Sequence, residues 1–351
     1  KYISKVHFHL QIMRSVFVFS LLSFYISYAQ RSDFNDINFK KADSVAEIHK
    51  GESLRNLPVL THNLTAPLDT DVEKFRAIYT WISSNIENDY SSYLKISNKR
   101  KRLVNDRQAF LEWNSSITPK VFERLLTERK TACTGYAYLV KEMANLAGFN
   151  CEIIDGYGRT PTLLLKEDSA PNHSWNTIEI NNKWYLCDAT WSAGQTILED
   201  GNARFEPDYF DGYFLAEPKL FVKNHYSINS EEIKLKGTQN FTAFIEGPVI
   251  YKEAFLAPII PVSPQKMYIY IKKGDVVTFK LNAPDNFKEE KFQLLINNGG
   301  RQKPIQPNTI RNQNKISLIY RFEKIGLHDV HILVDDDLIS TYVVKVKKVR
   351  Q

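Results

Sequence analysis

The period at which apolar residues recur changes along this chain, and that change limits the architectures open to it. Up to residue 148 the spacing is helical. Phe75, Ile78, Tyr79, Ile82 and Ile86 mark one face of a segment at 71–88, and Tyr136, Leu139, Val140, Met143, Leu146 and Ala147 mark another. Thr70-Asp71-Val72-Glu73 has capping-box spacing, in which Thr and Glu satisfy each other's free N–H groups, so a helix starts there. Gly148 is a natural stop for the helix that opens near Cys133. Residues 90–116 are polar and basic and read as a loop carrying a short helix. Thr118-Pro119, with Pro at a first helical position, opens the next helix on a stripe of Val121, Phe122, Leu125 and Leu126.

Three runs at 151–157, 174–180 and 184–189 read as strands, the last two joined by a hairpin turn at Asn181-Asn182-Lys183. From about residue 238 the helical period is gone. Short β-rich runs at 266–271, 276–281, 292–296, 315–322, 328–334 and 341–346 alternate with Pro, Gly and Asn clusters, which is the texture of a β-sandwich. The expected class is α+β: a core with an antiparallel sheet over 30–237, then an all-β sandwich-like accessory domain over 238–351. A length of 351 residues suits two domains, and 43% hydrophobic with 25% charged residues is a globular composition.

The net charge of +6 is uneven: residues 238–351 hold 17 Lys and Arg against 11 Asp and Glu, and the rest is balanced. No basic cluster alternates with exposed aromatics, so nucleic acid is not an expected partner. The basic half could rest on an anionic cell-envelope polymer, although solvated strand faces account for the same charges. Residues 1–29 read as a leader and signal peptide: Met13-Arg14, an apolar run from Val16 to Ile26, then Ser27-Tyr28-Ala29 with cleavage near Ala29. The run is shorter than the roughly 18 residues that span a bilayer, and no later stretch is long enough. An exported chain is expected, periplasmic, outer-surface or secreted, with no transmembrane segment once mature.

Three cysteines are too few for a disulfide scaffold. Cys151 and Cys187 fall in buried-looking strands and read as inert core thiols, with a bridge between them as the alternative. Cys133 is different. It lies in the first turn of a helix, where unpaired N–H groups and the helix dipole favour a thiolate, and small residues (Ala132, Thr134, Gly135) flank it. His173 opens one strand of the hairpin and Asp188 lies near the end of the other, so the two ends can meet. A thiol, a base and an orienting carboxylate are the parts of a nucleophilic triad. The bland alternatives are a buried helical cysteine and a satisfied histidine; the carboxylate across the hairpin argues against them. Trp175 and Trp191 flank the pair, and Asn176 can face the same side as His173. The Cys133 backbone N–H can serve an oxyanion hole; a second donor is unidentified, Trp81 and Trp113 being weak candidates better suited to packing. No metal-ligand cluster or phosphate-binding loop stands out, so no metal or cofactor is expected.

Three blocks then resemble a known family: Glu128-Arg129-Lys130-Thr131-Ala132-Cys133-Thr134-Gly135-Tyr136-Ala137, Asn172-His173-Ser174-Trp175-Asn176 and Trp184-Tyr185-Leu186-Cys187-Asp188-Ala189-Thr190-Trp191. They resemble the motif blocks of the transglutaminase-like superfamily. Ala77-Ile78-Tyr79-Thr80-Trp81-Ile82, and Tyr209-Phe210-Asp211-Gly212-Tyr213-Phe214-Leu215-Ala216-Glu217-Pro218 through His225-Tyr226, resemble its kyphoscoliosis-peptidase-like branch. The resemblance covers roughly residues 70–230. It implies a papain-like core with the nucleophile helix against an antiparallel sheet, Cys133 as nucleophile, His173 as general base and acid, and Asp188 as orienting acid. Thr131 stands where relatives often carry Gly. The implied chemistry is acyl transfer from a protein or peptide amide. With water as acceptor this is a cysteine peptidase or amidase; with a lysine amine, a cross-linking transglutaminase. A non-catalytic envelope-binding module is the third reading. Water is always at hand, which favours hydrolysis.

Overall fold

The Thr70 capping box forms as its spacing predicts: the hydroxyl accepts from Glu73 N–H while the Glu73 carboxylate accepts from Thr70 N–H. The computed structural model describes residues 31–348 other than 104, 164, 201, 230–239, 257, 285, 286, 288–290 and 298–302. The expected leader and the expected boundary at 237/238 lie outside the described residues.

In chain order, α1 (Lys40–Ile48), α2 (Leu57–Thr65), α3 (Asp71–Asn85), β1 (Glu87–Asn88), α4 (Tyr90–Arg102), α5 (Arg107–Glu128), β2 (Lys130–Thr131) and α6 (Cys133–Leu146) come first. Then follow β3 (Cys151–Gly158), β4 (His173–Ile180), β5 (Lys183–Cys187), α7 (Ala189–Ala193), β6 (Gly194–Glu199), β7 (Asn202–Pro207), α8 (Pro218–Phe221) and β8 (His225–Ser227). β5-β4-β3-β8 form an antiparallel sheet. The helical stripes read from sequence are its cover. Phe75, Ile78, Tyr79 and Ile82 of α3 share one core with Tyr136, Leu139, Val140 and Met143 of α6 and with Cys151, Ile178 and Cys187 of the sheet. The hairpin turn is two residues long. Asn181 and Asn182 sit at φ 53° and 60°, the left-handed region Asn tolerates, and Ile180 pairs with Lys183 as a result.

Two expectations fail between residues 90 and 128. The polar stretch is the helix α4 followed by the first half of α5, and Pro119 lies inside α5 rather than at its start. Each helix is started by an aspartate, Asp89 accepting from Ser92 N–H and Asp106 from Ala109 N–H. The carbonyl that Pro119 leaves unpaired belongs to Ser115, which faces water, and the neighbouring Thr118 hydroxyl donates to Asn114 O.

The remaining elements are α9 (Phe241–Glu246), β9 (Val249–Ile250), β10 (Ile260–Ser263), β11 (Tyr268–Lys272), β12 (Val276–Asn282), β13 (Phe292–Asn297), β14 (Asn308–Asn312), β15 (Lys315–Arg321), β16 (Gly326–Val334) and β17 (Asp337–Lys347). One sheet runs β10-β12-β15-β14. The other runs β11-β17-β16-β13, with β9 also on β17. All six β-rich runs expected from the sequence are strands; β9, β10 and β14 are additional. Phe279, Leu281, Ile316 and Leu318 of one sheet pack with Leu294, Ile332, Tyr342 and Val344 of the other. That apolar cluster continues into Ile154, Trp175, Leu186, Phe210, Tyr213 and Phe221, so the β half is packed against the helical half.

Candidate active site

Cys133 is the first residue of α6, and the N-cap before it, Ala132, offers no side-chain cap. The N–H groups of the first turn are therefore not taken by a capping oxygen, and their partial positive charge lies beside the sulfur. The helix is fixed at both sides: Tyr136 Oη donates to Ile86 O at 2.5 Å, and Asn176 Nδ2 donates to Ala137 O at 2.9 Å. Asn176 thereby holds α6 to β4. Thr131 explains the small residue after the cysteine, since a Cβ on Gly135 would lie 1.9 Å from Thr131 Oγ1.

His173 opens β4 opposite Gly156. Its Nε2 lies 2.7 Å from Asp188 Oδ2, which leaves Nδ1 as the ring nitrogen for the Cys133 thiol, its other hydrogen-bond partner. Asp188 is the N-cap of α7 and is not a strand residue. β5 ends at Cys187, paired with Asn176, and the chain then turns so that Asp188 Oδ1 accepts from Thr190 N–H at 2.9 Å and Trp191 N–H at 3.1 Å. The carboxylate thus reaches His173 from the strand's exit rather than from directly across the hairpin. Cys133, His173 and Asp188 are all buried, at 6%, 6% and 0% exposure. Trp191 stacks on the imidazole at 5.0 Å and 23°, Trp175 at 6.0 Å and 30°. Gly158 permits this closeness, because a Cβ there would stand 2.9 Å from Trp191 and 3.1 Å from His173.

Burial alone would keep each of these groups uncharged; their mutual contacts reverse that. Burial lifts the Asp188 carboxyl, but the His173 charge and hydrogen bonds from two imidazoles hold it well below the usual carboxylate range. Burial lowers His173, and Asp188 outweighs it, raising the imidazole to about 10. Burial raises Cys133, yet the hydrogen bond and charge of His173, the Arg100 cation and the Ser174 N–H leave the thiol below its ordinary value. For the other two thiols burial wins: it pushes Cys151 up to about 12 against the Lys141 charge and the Asn176 hydrogen bond, and Cys187 well above the normal range. All three cysteines are free, so Cys151 and Cys187 are core thiols and no bridge joins them.

Two residues at the site have no role assigned from the sequence. Arg100 of α4 lines a cavity of about 10 Å³ beside Cys133, with Tyr93, Ile96, Ser97, Thr134 and Asn172. His225 is the second. It pairs across from Gly158 on one side of β3 while His173 pairs with Gly156 on the other, and its Nε2 lies 3.1 Å from the same Asp188 Oδ2. His225 closes a block noted from the sequence only for its resemblance, and tertiary pairing brings both residues to the thiol's side. Trp81 is excluded as an oxyanion donor, since its Nε1 donates to His49 O at 2.7 Å in the core. Trp113 packs on Phe110 beneath Lys99 and is not among the cavity's lining residues. His173, Asp188 and His225 place three ligand atoms within 4.8 Å, a spacing a metal could use. Both imidazole nitrogens are hydrogen-bonded to the carboxylate itself.

The model of the transglutaminase-like superfamily matches residues 58–189. The chain is 27% identical over 281 residues to kyphoscoliosis peptidase of Homo sapiens, covering 78% of this chain and 39% of that protein. It is 24% identical over 215 residues to Hillarin of Drosophila melanogaster, covering 57% of this chain and 23% of that one. A Caenorhabditis elegans Lim and transglutaminase domain protein, ltd-1, matches at 24% over 196 residues, 52% of this chain and 24% of its own length. The chain spans about two-fifths of the length of kyphoscoliosis peptidase. Residues 58–189 match the transglutaminase-like superfamily, and over 78% of its length the chain is similar to kyphoscoliosis peptidase.

Proposed function

We propose that this protein is a thiol-dependent acyl-transfer enzyme that cleaves peptide or amide bonds, with Cys133 as nucleophile, His173 as general base and acid, and Asp188 as the group that orients and charges His173. The observation that carries this is the continuous buried path from the Cys133 thiol through the His173 ring to Asp188 Oδ2, closed by a 2.7 Å hydrogen bond. In the cycle the Cys133 thiolate attacks the amide carbonyl, and His173, holding the thiol's proton, gives it to the leaving amine. A thioester remains. His173 then takes a proton from water, which attacks the acyl carbon and frees Cys133. The N–H of Cys133 at the mouth of α6 is placed to donate to the oxyanion formed in each half.

Hydrolysis is favoured over transfer to an amine because water is always at hand, whereas amine transfer needs an acceptor site of its own. A mass-spectrometric screen of peptides with and without an added primary amine tests both readings, using Cys133→Ala as the blank. Cleavage products dependent on Cys133 support hydrolysis. Amine adducts without cleavage would replace it with cross-linking, and neither product would leave a binding module. Export through the 1–29 segment, and docking of the basic β half on an envelope polymer, belong to the same proposal; the leader pattern and local charge support them. Cell fractionation, followed by pull-down on isolated envelope polymer, tests them.

A further inference from the structure

Asp188 carries more donors than a triad needs. Its Oδ1 takes two backbone N–H groups and its Oδ2 faces two imidazoles, His173 at 2.7 Å and His225 at 3.1 Å. A carboxylate has about four acceptor sites, so this one is filled and cannot turn without losing a partner. We propose that His225 is a positioning residue: its Nε2–H pins Asp188 Oδ2 in the orientation that serves His173. The inference rests on the triad reading above.

The surroundings of His225 are built to keep the ring still. Phe221 stacks on it at 3.8 Å and 14°, Trp191 lies at 4.4 Å, and Trp175 meets it edge-on at 5.0 Å and 73°. Its Nδ1 is 2.7 Å from the Asn224 side-chain oxygen. A histidine buried for packing alone could use any acceptor. This one shares a single oxygen with the imidazole that bears the thiol. Both ring nitrogens of His225 thus face oxygens of the protein, Asn224 Oδ1 on one side and Asp188 Oδ2 on the other, which fixes the ring in its plane.

The test is the pH profile of Cys133 alkylation by iodoacetamide in the full chain, followed by peptide mapping. His225→Phe keeps a stacked ring without an N–H; His225→Gln keeps an N–H without the ring. Loss of a charge-assisted hydrogen bond is expected to slow labelling at pH 7 on the order of tenfold and to move the thiolate midpoint upward in His225→Phe. His225→Gln should recover most of the rate. A His225→Phe profile that matches the unmodified chain, or whose midpoint moves down, overturns the proposal. His173→Ala separates the two readings: if it leaves the profile unchanged the triad itself fails, whereas a changed His173→Ala profile beside an unchanged His225→Phe profile removes only His225. Should His225→Phe not fold, proton NMR of the unmodified chain decides. A slowly exchanging imidazole N–H that disappears in His225→Gln supports the pinned geometry, and a rapidly exchanging one refutes it.

Discussion

Cys133, Cys151 and Cys187 are all buried and free, yet their surroundings push them in opposite directions. For Cys151 and Cys187 burial dominates; Cys151 is held at about 12 although the Lys141 charge and an Asn176 hydrogen bond pull it down. For Cys133 the same burial is outweighed by His173, Arg100 and the Ser174 N–H. The sign follows directly: a thiol whose value is lowered carries more thiolate at any pH below its ordinary value than a free thiol does, and thiolate is the reactive form. Iodoacetamide is therefore expected to label Cys133 at pH 7, with a midpoint below the free-thiol value of about 8.5, while Cys151 and Cys187 stay unlabelled to pH 10 in the folded chain. Asp188→Asn should move the Cys133 midpoint up, since a neutral amide no longer supports the imidazolium. Peptide mapping across pH reads all three thiols at once, and equal rates would refute the assignment.

At the scale of elements, α4 stands over Cys133. Tyr93, Ile96, Ser97 and Arg100 of this helix line the cavity over the thiol, whose volume of about 10 Å³ admits no peptide. None of its residues is fully buried. It is tied at its start by Asp89, which accepts from Ser91, Ser92 and Arg124, and near its end by Arg100 donating to Pro171 O at 3.2 Å. Sparse packing with a few end contacts marks a segment of low local stability. Asp89→Ala removes a helix cap worth about 1 kcal/mol and the Arg124 pair with it. Faster hydrogen exchange over 90–102 and faster Cys133 alkylation are expected, with the pH midpoint shifted slightly up as the Arg100 cation moves away and His173 stays in place. An unchanged alkylation rate in a helix that exchanges faster would mean that access lies elsewhere. The same helix shows where sequence reading stops. α3, α6 and the β4–β5 hairpin were legible because an apolar stripe, a capping box and an Asn-Asn turn are local signals. α4 has no apolar stripe to read, and Pro119 carries the signature of a helix start although α5 runs through it. β14 is exposed at every residue and β10 contains Pro261, so neither has the alternation of a strand. Cys133, His173 and Asp188 stood out by their local settings. His225 closes a block noted only for its resemblance, and its approach to Asp188, 37 residues away, comes from the β3–β8 pairing.

For the whole molecule, the question is whether the β half is an appendage or part of the site's support. Trp175 belongs to the apolar cluster shared with the sandwich and also stacks on His173. Tyr213 meets Phe255 at 4.7 Å on one side, and Trp191 at 5.4 Å and His225 at 6.0 Å on the other. Rings that wall the two histidines are therefore packed from behind by residues after 240. Arg159, just past β3, adds a polar tie: its guanidinium donates to Phe244 O at 3.0 Å, Gly247 O at 2.7 Å and Pro248 O at 3.2 Å. No carboxylate is among these partners, and burial lowers the group to about 10, so the three carbonyls are what keep it in place. A shared core and a buried tie predict that the described halves melt together. Calorimetry of the full chain is expected to give one cooperative transition, with calorimetric and van't Hoff enthalpies in agreement. Arg159→Met strips three buried carbonyls of their donor, which costs about 1–3 kcal/mol for each group that water does not reach. It should lower that single transition and slow Cys133 alkylation, because the packing behind Trp175 and Tyr213 loosens with it. Two separated transitions in the unmodified chain, or an Arg159→Met chain that melts lower with its thiol profile untouched, would make the sandwich a passenger and confine the site's support to the helical half.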